Sequence, residues 1–177
     1  MNNGATVSES AQRFRDTVNT SHIRDRLTKD KKKWNRLCAC MDVLKDTEMA
    51  IAAFPGCSAD ADTGEVYLRI YGLLQAMFVQ QDAVCHACSA IGMDYQRPEQ
   101  VENGIRRVRN KAIGHPAEKS YGIVQASMSP QEFEIYRFDG AEGWKPERVE
   151  IRTLVKMQAQ EVTSALTRMI NHLLNLS

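Results

Sequence analysis

The chain has 177 residues, 43% hydrophobic and 25% charged, the balance of one ordinary globular domain with a sizeable core. Its formal net charge of +1 excludes a broad basic field, so nucleic acid would need a local patch. There is no unbroken apolar run of membrane-spanning length, and Met1-Asn2-Asn3-Gly4 leads into polar residues rather than a signal core; a cytoplasmic location without membrane contact is expected.

A first helix is expected from near Ser8 to about Thr28, capped by Ser8 or Ser10. Its apolar marks are few (Val7, Ala11, Phe14, Val18 and Ile23), so residues 1–28 read as a peripheral N-terminal helix, open to a break at Asn19-Thr20-Ser21. A second helix is predicted over Asp30 to Phe54, with Trp34, Leu37, Met41, Leu44 and Ile51 at three-to-four spacing and Pro55-Gly56 as its stop. Lys29, Lys31, Lys32, Lys33 and Arg36 crowd its start, against the sense of the helix dipole; a bound anion or, more commonly, a solvated face accounts for such a run. Ser58 to Gly64 reads as a loop, in which Asp60, Asp62 and Gly64 lack the remaining ligands of a calcium loop. A long third helix from about Thr63 to Met93 carries a broad apolar surface and is expected at the centre of the fold. Gln75, Gln80, Gln81 and Asp82 interrupt that surface, either lining a site or subunit contact or facing water.

Arg97-Pro98 opens a predicted fourth helix, with proline at a favoured first-turn position and Glu99 and Glu102 beside it. Val101, Ile105, Val108 and Ala112 mark its inward face, and Arg106, Arg107, Arg109 and Lys111 fill the rest. Past Pro116 the pattern turns to β. Tyr121 to Ala126 and Phe133 to Phe138 predict a hairpin across a loop at Ser127 to Gln131. Asp139 to Gly143 is a second turn, with Trp144 to Glu150 as the candidate for a short third strand. A final helix is predicted from Ile151 to Leu176, its apolar stripe broken by Gln158. The resulting fold class is mainly α: a single helical bundle over 1–177 with a β-hairpin insertion at 119–150 before the C-terminal helix.

Five cysteines, an odd number, speak against a disulfide scaffold. Cys85-His86-Ala87-Cys88 has the look of a metal pair, but it lies in a helical pattern without a second ligand pair. Cys38 and Cys40 would point in different directions on a helix. A core role is the better reading, and neither metal nor cofactor is expected. His22 and His172 lack partners at metal-ligand spacing, and His86 reads as an ordinary helix histidine.

The most informative stretch is Arg109-Asn110-Lys111-Ala112-Ile113-Gly114-His115-Pro116. It puts a fixed cation, an amide and an imidazole within seven residues at a predicted helix end. Arginine holds phosphate through its planar fork of donors, and histidine moves protons near neutral pH. On these residues the chain resembles the HEPN superfamily, small helical domains with an Arg-x4–6-His signature in which a polar residue often follows the arginine. Here five residues separate Arg109 from His115, and Asn110 is the polar follower. The stretch looks like variants from prokaryotic toxin and defence proteins. The resemblance covers about residues 30–176 as architecture and 109–116 as motif.

The resemblance implies a HEPN-like bundle and a metal-independent endoribonuclease. The RNA 2′-hydroxyl attacks the adjacent phosphorus, leaving 2′,3′-cyclic phosphate and 5′-hydroxyl ends. His115 is the implied general base or acid, Arg109 the phosphate ligand, and Asn110 the group that orients one of them. Arg106, Arg107 and Lys111 are candidate RNA contacts, with solvated surface charge as the default for each. A homodimer facing two motifs into one cleft is implied, with an antitoxin or a separately encoded nucleotidyltransferase as a further partner.

Spacing qualifies this. On an unbroken helix Arg109 and His115 lie about 240° apart and share no face. Gly114, in a left-handed conformation, is expected to re-aim His115, and Pro116 to hold it extended. Spacing alone favours the plainer alternative, in which His115 caps its own helix and Arg109 makes a surface ion pair. The resemblance shifts the balance to catalysis, against an alternative HEPN-like module that binds RNA, a nucleotide or a partner protein without cutting.

Overall fold

The computed structural model describes residues 5–54, 62–95, 104–114, 120–139 and 143–175, without the side chains of Phe138, Asp139 and Trp144. Pro55-Gly56, Cys57, most of the loop at 58–64, the predicted helix start at Arg97-Pro98, and His115-Pro116 lie outside the described residues. The protein is mainly helical, with a small three-stranded sheet before the C-terminal helix. Among the described residues no helix is long and apolar enough to cross a membrane. The chain divides into two compact units.

Unit 1 comprises residues 1–49, 79–97 and 158–177. It starts with α1 (Val7–Val18) and α2 (Ser21–Leu27), broken where Asn19-Thr20 suggested. Neither Ser8 nor Ser10 caps α1. Thr6 does, in a capping box: its hydroxyl accepts from Glu9 N at 3.2 Å while the Glu9 carboxylate accepts from Thr6 N at 2.7 Å. Ser10 lies one turn inside, on the buried face. Sparse apolar marks suggested a peripheral helix, yet Phe14, Val18 and Ile23 are wholly buried, because those few marks fall on one face.

Three longer helices, α3 (Lys31–Ala53), α4 (Thr63–Ala90) and α6 (Ile151–Asn175), contribute residues to both units. In unit 1, Leu37 and Leu44 of α3, Ala87 and Cys88 of α4, and Leu166, Met169 and Leu173 of α6 close the core around Phe14. The basic start of α3 is relieved by Asp30, whose carboxylate accepts from Lys33 N at 3.0 Å. Helix α4 stops three residues before the expected Met93. Gly92, at φ 75°, ends it, as Met93 N bonds Cys88 O at 2.9 Å and Gly92 N bonds Ser89 O at 3.2 Å.

Gln80 and Gln81 neither face water nor stand alone. Gln81 donates to Gln158 (3.1 Å) and Glu161 (3.3 Å), Gln158 donates to Gln80 (2.8 Å), and Gln80 donates to Glu48 (3.2 Å). Three buried amides thus link two carboxylates through the core. These bonds offset part of the cost of burying the amides, and Gln81 Oε1 is left buried without a hydrogen-bond partner. Cys88 is equally enclosed: burial first, and then the neighbouring Cys85, push its thiol up to about 12.

Unit 2 comprises residues 50–78 and 98–157. Asp62 caps α4 by accepting from Glu65 N at 2.8 Å. The expected long helix from Arg97-Pro98 is not continuous: Gly104 is extended, so α5 (Ile105–Arg109) starts only at Ile105 and continues into a π-turn at Asn110–Gly114. Strands β1 (Tyr121–Ile123), β2 (Glu132–Asp139) and β3 (Gly143–Glu150) form an antiparallel sheet in the order β1-β2-β3. The insertion is therefore a three-stranded meander rather than one hairpin, and its longest pairing, Glu132↔Glu150 to Asp139↔Gly143, uses the strand with the weakest sequence signal. Pro146 is tolerated because β3 is an edge strand. The first strand is shorter than expected. Beyond Val124 the Ser127 hydroxyl accepts the Glu134 N–H at 2.8 Å, so a side chain replaces a strand carbonyl. Phe133 and Ile135 pack with Ile70, Leu74, Met77, Ile105, Val108 and Leu154 in the core of this unit.

Replacing Gln158 with leucine should lower stability by about 1–3 kcal/mol, since Gln80 and Gln81 each lose a buried partner. Urea denaturation of the variant measures this; an unchanged midpoint would show that the amide chain contributes nothing.

Candidate functional site

The end of α5 is built on an inward row of Ile105, Val108 and Ala112, all buried. This row anchors the helix in unit 2 and turns Arg106 and Arg109 toward α4. Both guanidinium groups lie over the ring of Phe78, with their central carbons 4.3 Å (Arg106) and 4.5 Å (Arg109) from its centroid. Cations over an aromatic face gain about 0.5–1 kcal/mol where exposed, and more where desolvated. The arginines sit at the C-terminal end of the helix, where its dipole favours positive charge.

Arg109 is held at its edges as well. Its Nε and Nη2 donate to Gln75 Oε1 at 3.3 and 3.2 Å, and its Nη1 donates to Asn110 Oδ1 at 3.1 Å. One flat group is thus clamped by a ring, a glutamine and its own neighbour. Gln75 and Asn110 are both exposed and uncharged, so they orient the guanidinium without neutralising it.

The π-turn completes the arrangement. An extra residue per turn widens the helix, a feature frequent at functional sites. Here it carries the Gly114 backbone under the Arg109 and Asn110 side chains. A Cβ on Gly114 would stand 3.0 Å from Arg109 Nη1 and 3.1 Å from Asn110 Oδ1. The expected left-handed Gly114 is not found: the positive-φ glycines among the described residues are Gly92 and Gly143. Gly114 instead permits a close approach, since a Cβ there would push the Arg109 and Asn110 side chains aside by a few tenths of an ångström.

Of the predicted site residues, Arg109 and Asn110 are brought into contact and Arg106 joins them on Phe78. Arg107 is half-buried on the same short helix. Lys111 goes elsewhere. Its ammonium pairs with Glu147 of β3, its side chain is only 10% exposed, and it lies 5.5 Å from the Tyr121 ring centroid. That geometry ties α5 to the sheet and turns Lys111 away from a solvent-side ligand. His115 lies outside the described residues. Phe78 and Gln75 are the contacts of Arg109 that the motif alone does not show. Gln75 had a signal, as a polar break in an apolar helix, whereas Phe78 is one of many apolar residues on that helix.

Elsewhere in unit 2 an apolar cavity of about 510 Å³, lined by Ile51, Phe54, Ile151 and Val155 among others, includes none of the predicted site residues. Among the described residues no cluster of three His, Cys, Asp or Glu side chains is placed to hold a metal ion. No protein-family model, curated protein or solved structure matches this chain. The chemistry of the site therefore rests on its own geometry.

Two substitutions test these contacts. Lys111→Ala should cost about 1–3 kcal/mol by stranding the Glu147 carboxylate, a loss read by thermal or urea denaturation. Gly114→Ala should leave the fold intact by circular dichroism and move the Arg109 and Asn110 side chains by only a few tenths of an ångström, a shift that a crystal structure of the variant reads.

Proposed function

We propose that this protein is a HEPN-type, metal-independent endoribonuclease of the toxin or phage-defence kind, acting in the cytoplasm as a homodimer. The observation that carries the reading is the clamped guanidinium of Arg109, fixed by Phe78, Gln75 and Asn110 and followed six residues later by His115. Further support comes from the mainly helical fold, with the motif at the end of a helix that packs beside the long α4.

The chemistry follows from these groups. Arg109 binds a non-bridging oxygen pair of the scissile phosphate and stabilises the charge that grows there as phosphorus becomes five-coordinate. Its clamp lowers the entropic cost of holding that geometry. His115 takes the 2′-hydroxyl proton or supplies one to the departing 5′-oxygen; in a dimer one copy serves each task. The products are 2′,3′-cyclic phosphate and 5′-hydroxyl ends. A guanidinium and an imidazole together supply charge stabilisation and proton transfer, the two services that a metal ion and its bound water otherwise perform. An antitoxin or a nucleotidyltransferase is the partner such an enzyme would need for restraint.

A binding module that does not cut is the second reading. What favours it is that Arg106 and Arg109, gathered on one ring, place two cations for a phosphate without any histidine.

The purified full-length protein should cleave RNA in EDTA and leave 2′,3′-cyclic phosphate ends. His115→Ala and Arg109→Ala should each slow cleavage at least about 10²-fold, with circular dichroism unchanged. Cleavage that survives both substitutions, or that requires added divalent metal, overturns the enzyme; RNA binding without cleavage points to the module.

A further inference from the structure

Helix α4 carries a second feature, on the face that leads away from Arg109. At about 100° per residue, Tyr67, Leu68, Tyr71, Gln75 and Phe78 fall within an arc of about 100°. Ile70, Leu73, Leu74 and Met77 occupy the buried side of the same helix. The outward stripe is largely apolar. Leu68 is 74% exposed and Tyr71 40% exposed, although large hydrophobic groups on a helix surface are normally scattered singly. Tyr67 props Tyr71 edge-to-face, with ring centroids 6.0 Å apart and planes at 89°. Beside Tyr71 the surface is open, since a Cβ on Gly72 would meet nothing within 4 Å. The stripe runs about 16 Å along the helix axis and ends at Phe78, beneath the two arginines.

We propose that this stripe is a stacking track for single-stranded RNA, in which Tyr71 and Leu68, propped by Tyr67, receive bases next to the phosphate held by Arg109. The track deepens the ribonuclease reading and rests on it for the identity of the bound chain. The occupant is argued from charge and shape. The exposed Tyr71 ring with Leu68 beside it, on a stripe that ends in two guanidinium groups, matches a polymer of planar bases joined by phosphates. A duplex hides its base faces, so the track suits unpaired nucleotides. Stacking of this kind is tolerant of sequence, because every base has a π-face. Phe78 is not one of the receiving rings; its face is taken by Arg106 and Arg109, and it marks where stacking gives way to phosphate binding.

The test uses the full-length protein and a fluorescein-labelled 2′-O-methyl oligouridylate of about a dozen nucleotides, within the usual range of single-strand site sizes. Lacking a free 2′-hydroxyl, this probe cannot be cut by 2′-hydroxyl attack, so anisotropy reads binding alone. Tyr71→Ala should weaken binding about tenfold or more, and Tyr71→Phe should bind like the wild type because the ring remains. An abasic oligomer of equal length should bind both Tyr71→Ala and the wild type alike. The track is overturned if Tyr71→Ala binds the oligouridylate as the wild type does, or if it weakens the abasic oligomer equally. It is also overturned if Tyr71→Ala splits a dimer into monomers in sedimentation, which would make the stripe a contact between copies. Failure of the ribonuclease reading has a separate signature: ordinary RNA stays uncut while the wild type still binds the probe and Tyr71→Ala does not.

Discussion

Two cations share one aromatic ring in this protein, and the arrangement of unit 2 around its candidate site depends on that sharing. Arg106 and Arg109 stand three residues apart on α5 and repel each other. Phe78 offsets the repulsion by offering its electron-rich face to both at 4.3 and 4.5 Å. Because Phe78 belongs to α4 and the arginines to α5, the contact also fixes how the two helices meet. Gln75, one turn earlier on α4, then sets the orientation of Arg109 within its plane. A guanidinium held in this way keeps its full charge while losing much of its freedom, which suits an anion ligand.

The two basic groups nearest in sequence show how burial sorts like residues into unlike roles. Arg109 stays at the surface among neutral oxygens, whereas Lys111 two residues later is buried against Glu147. A buried ammonium without its carboxylate would be costly. The pair therefore ties α5 to β3 and steadies the turn from which Arg109 projects. The π-turn that holds Lys111 also brings the Gly114 backbone close to the Arg109 and Asn110 side chains. Close approach, rather than a left-handed backbone, is what glycine permits there.

Much of the fold was legible in the sequence. The apolar spacing from Leu37 to Ile51, the stripe from Ile151 to Leu173 and the β-rich run at 133–138 all become the expected elements. Such patterns are legible because a helix or strand must bury one face, and that face has a fixed period. The misplaced features share a different cause. Thr6 displaces Ser8 as the cap, Ser127 replaces a strand acceptor, and Gln80 and Gln81 turn inward. Each depends on a polar side chain finding a particular partner, and residue type alone does not name that partner. For the site, Arg109 and Asn110 were legible as a motif, while Phe78 and Glu147 were hidden among ordinary core and strand residues.

By itself, the sequence determined the helical class of the protein, the β segment before its last helix, and the short stretch in which an arginine, an amide and a histidine come close together. These properties follow from local periodicity and composition, which need no knowledge of distant contacts. Only the tertiary structure decided which cations remain at the surface, which ring supports them, and how closely the Gly114 backbone approaches Arg109. Those outcomes depend on groups more than thirty residues apart meeting at van der Waals or hydrogen-bond distance, as Arg109 meets Gln75 and Lys111 meets Glu147. Such meetings are settled by packing of the whole unit, because burial rewards complementary partners and penalises every polar group left without one.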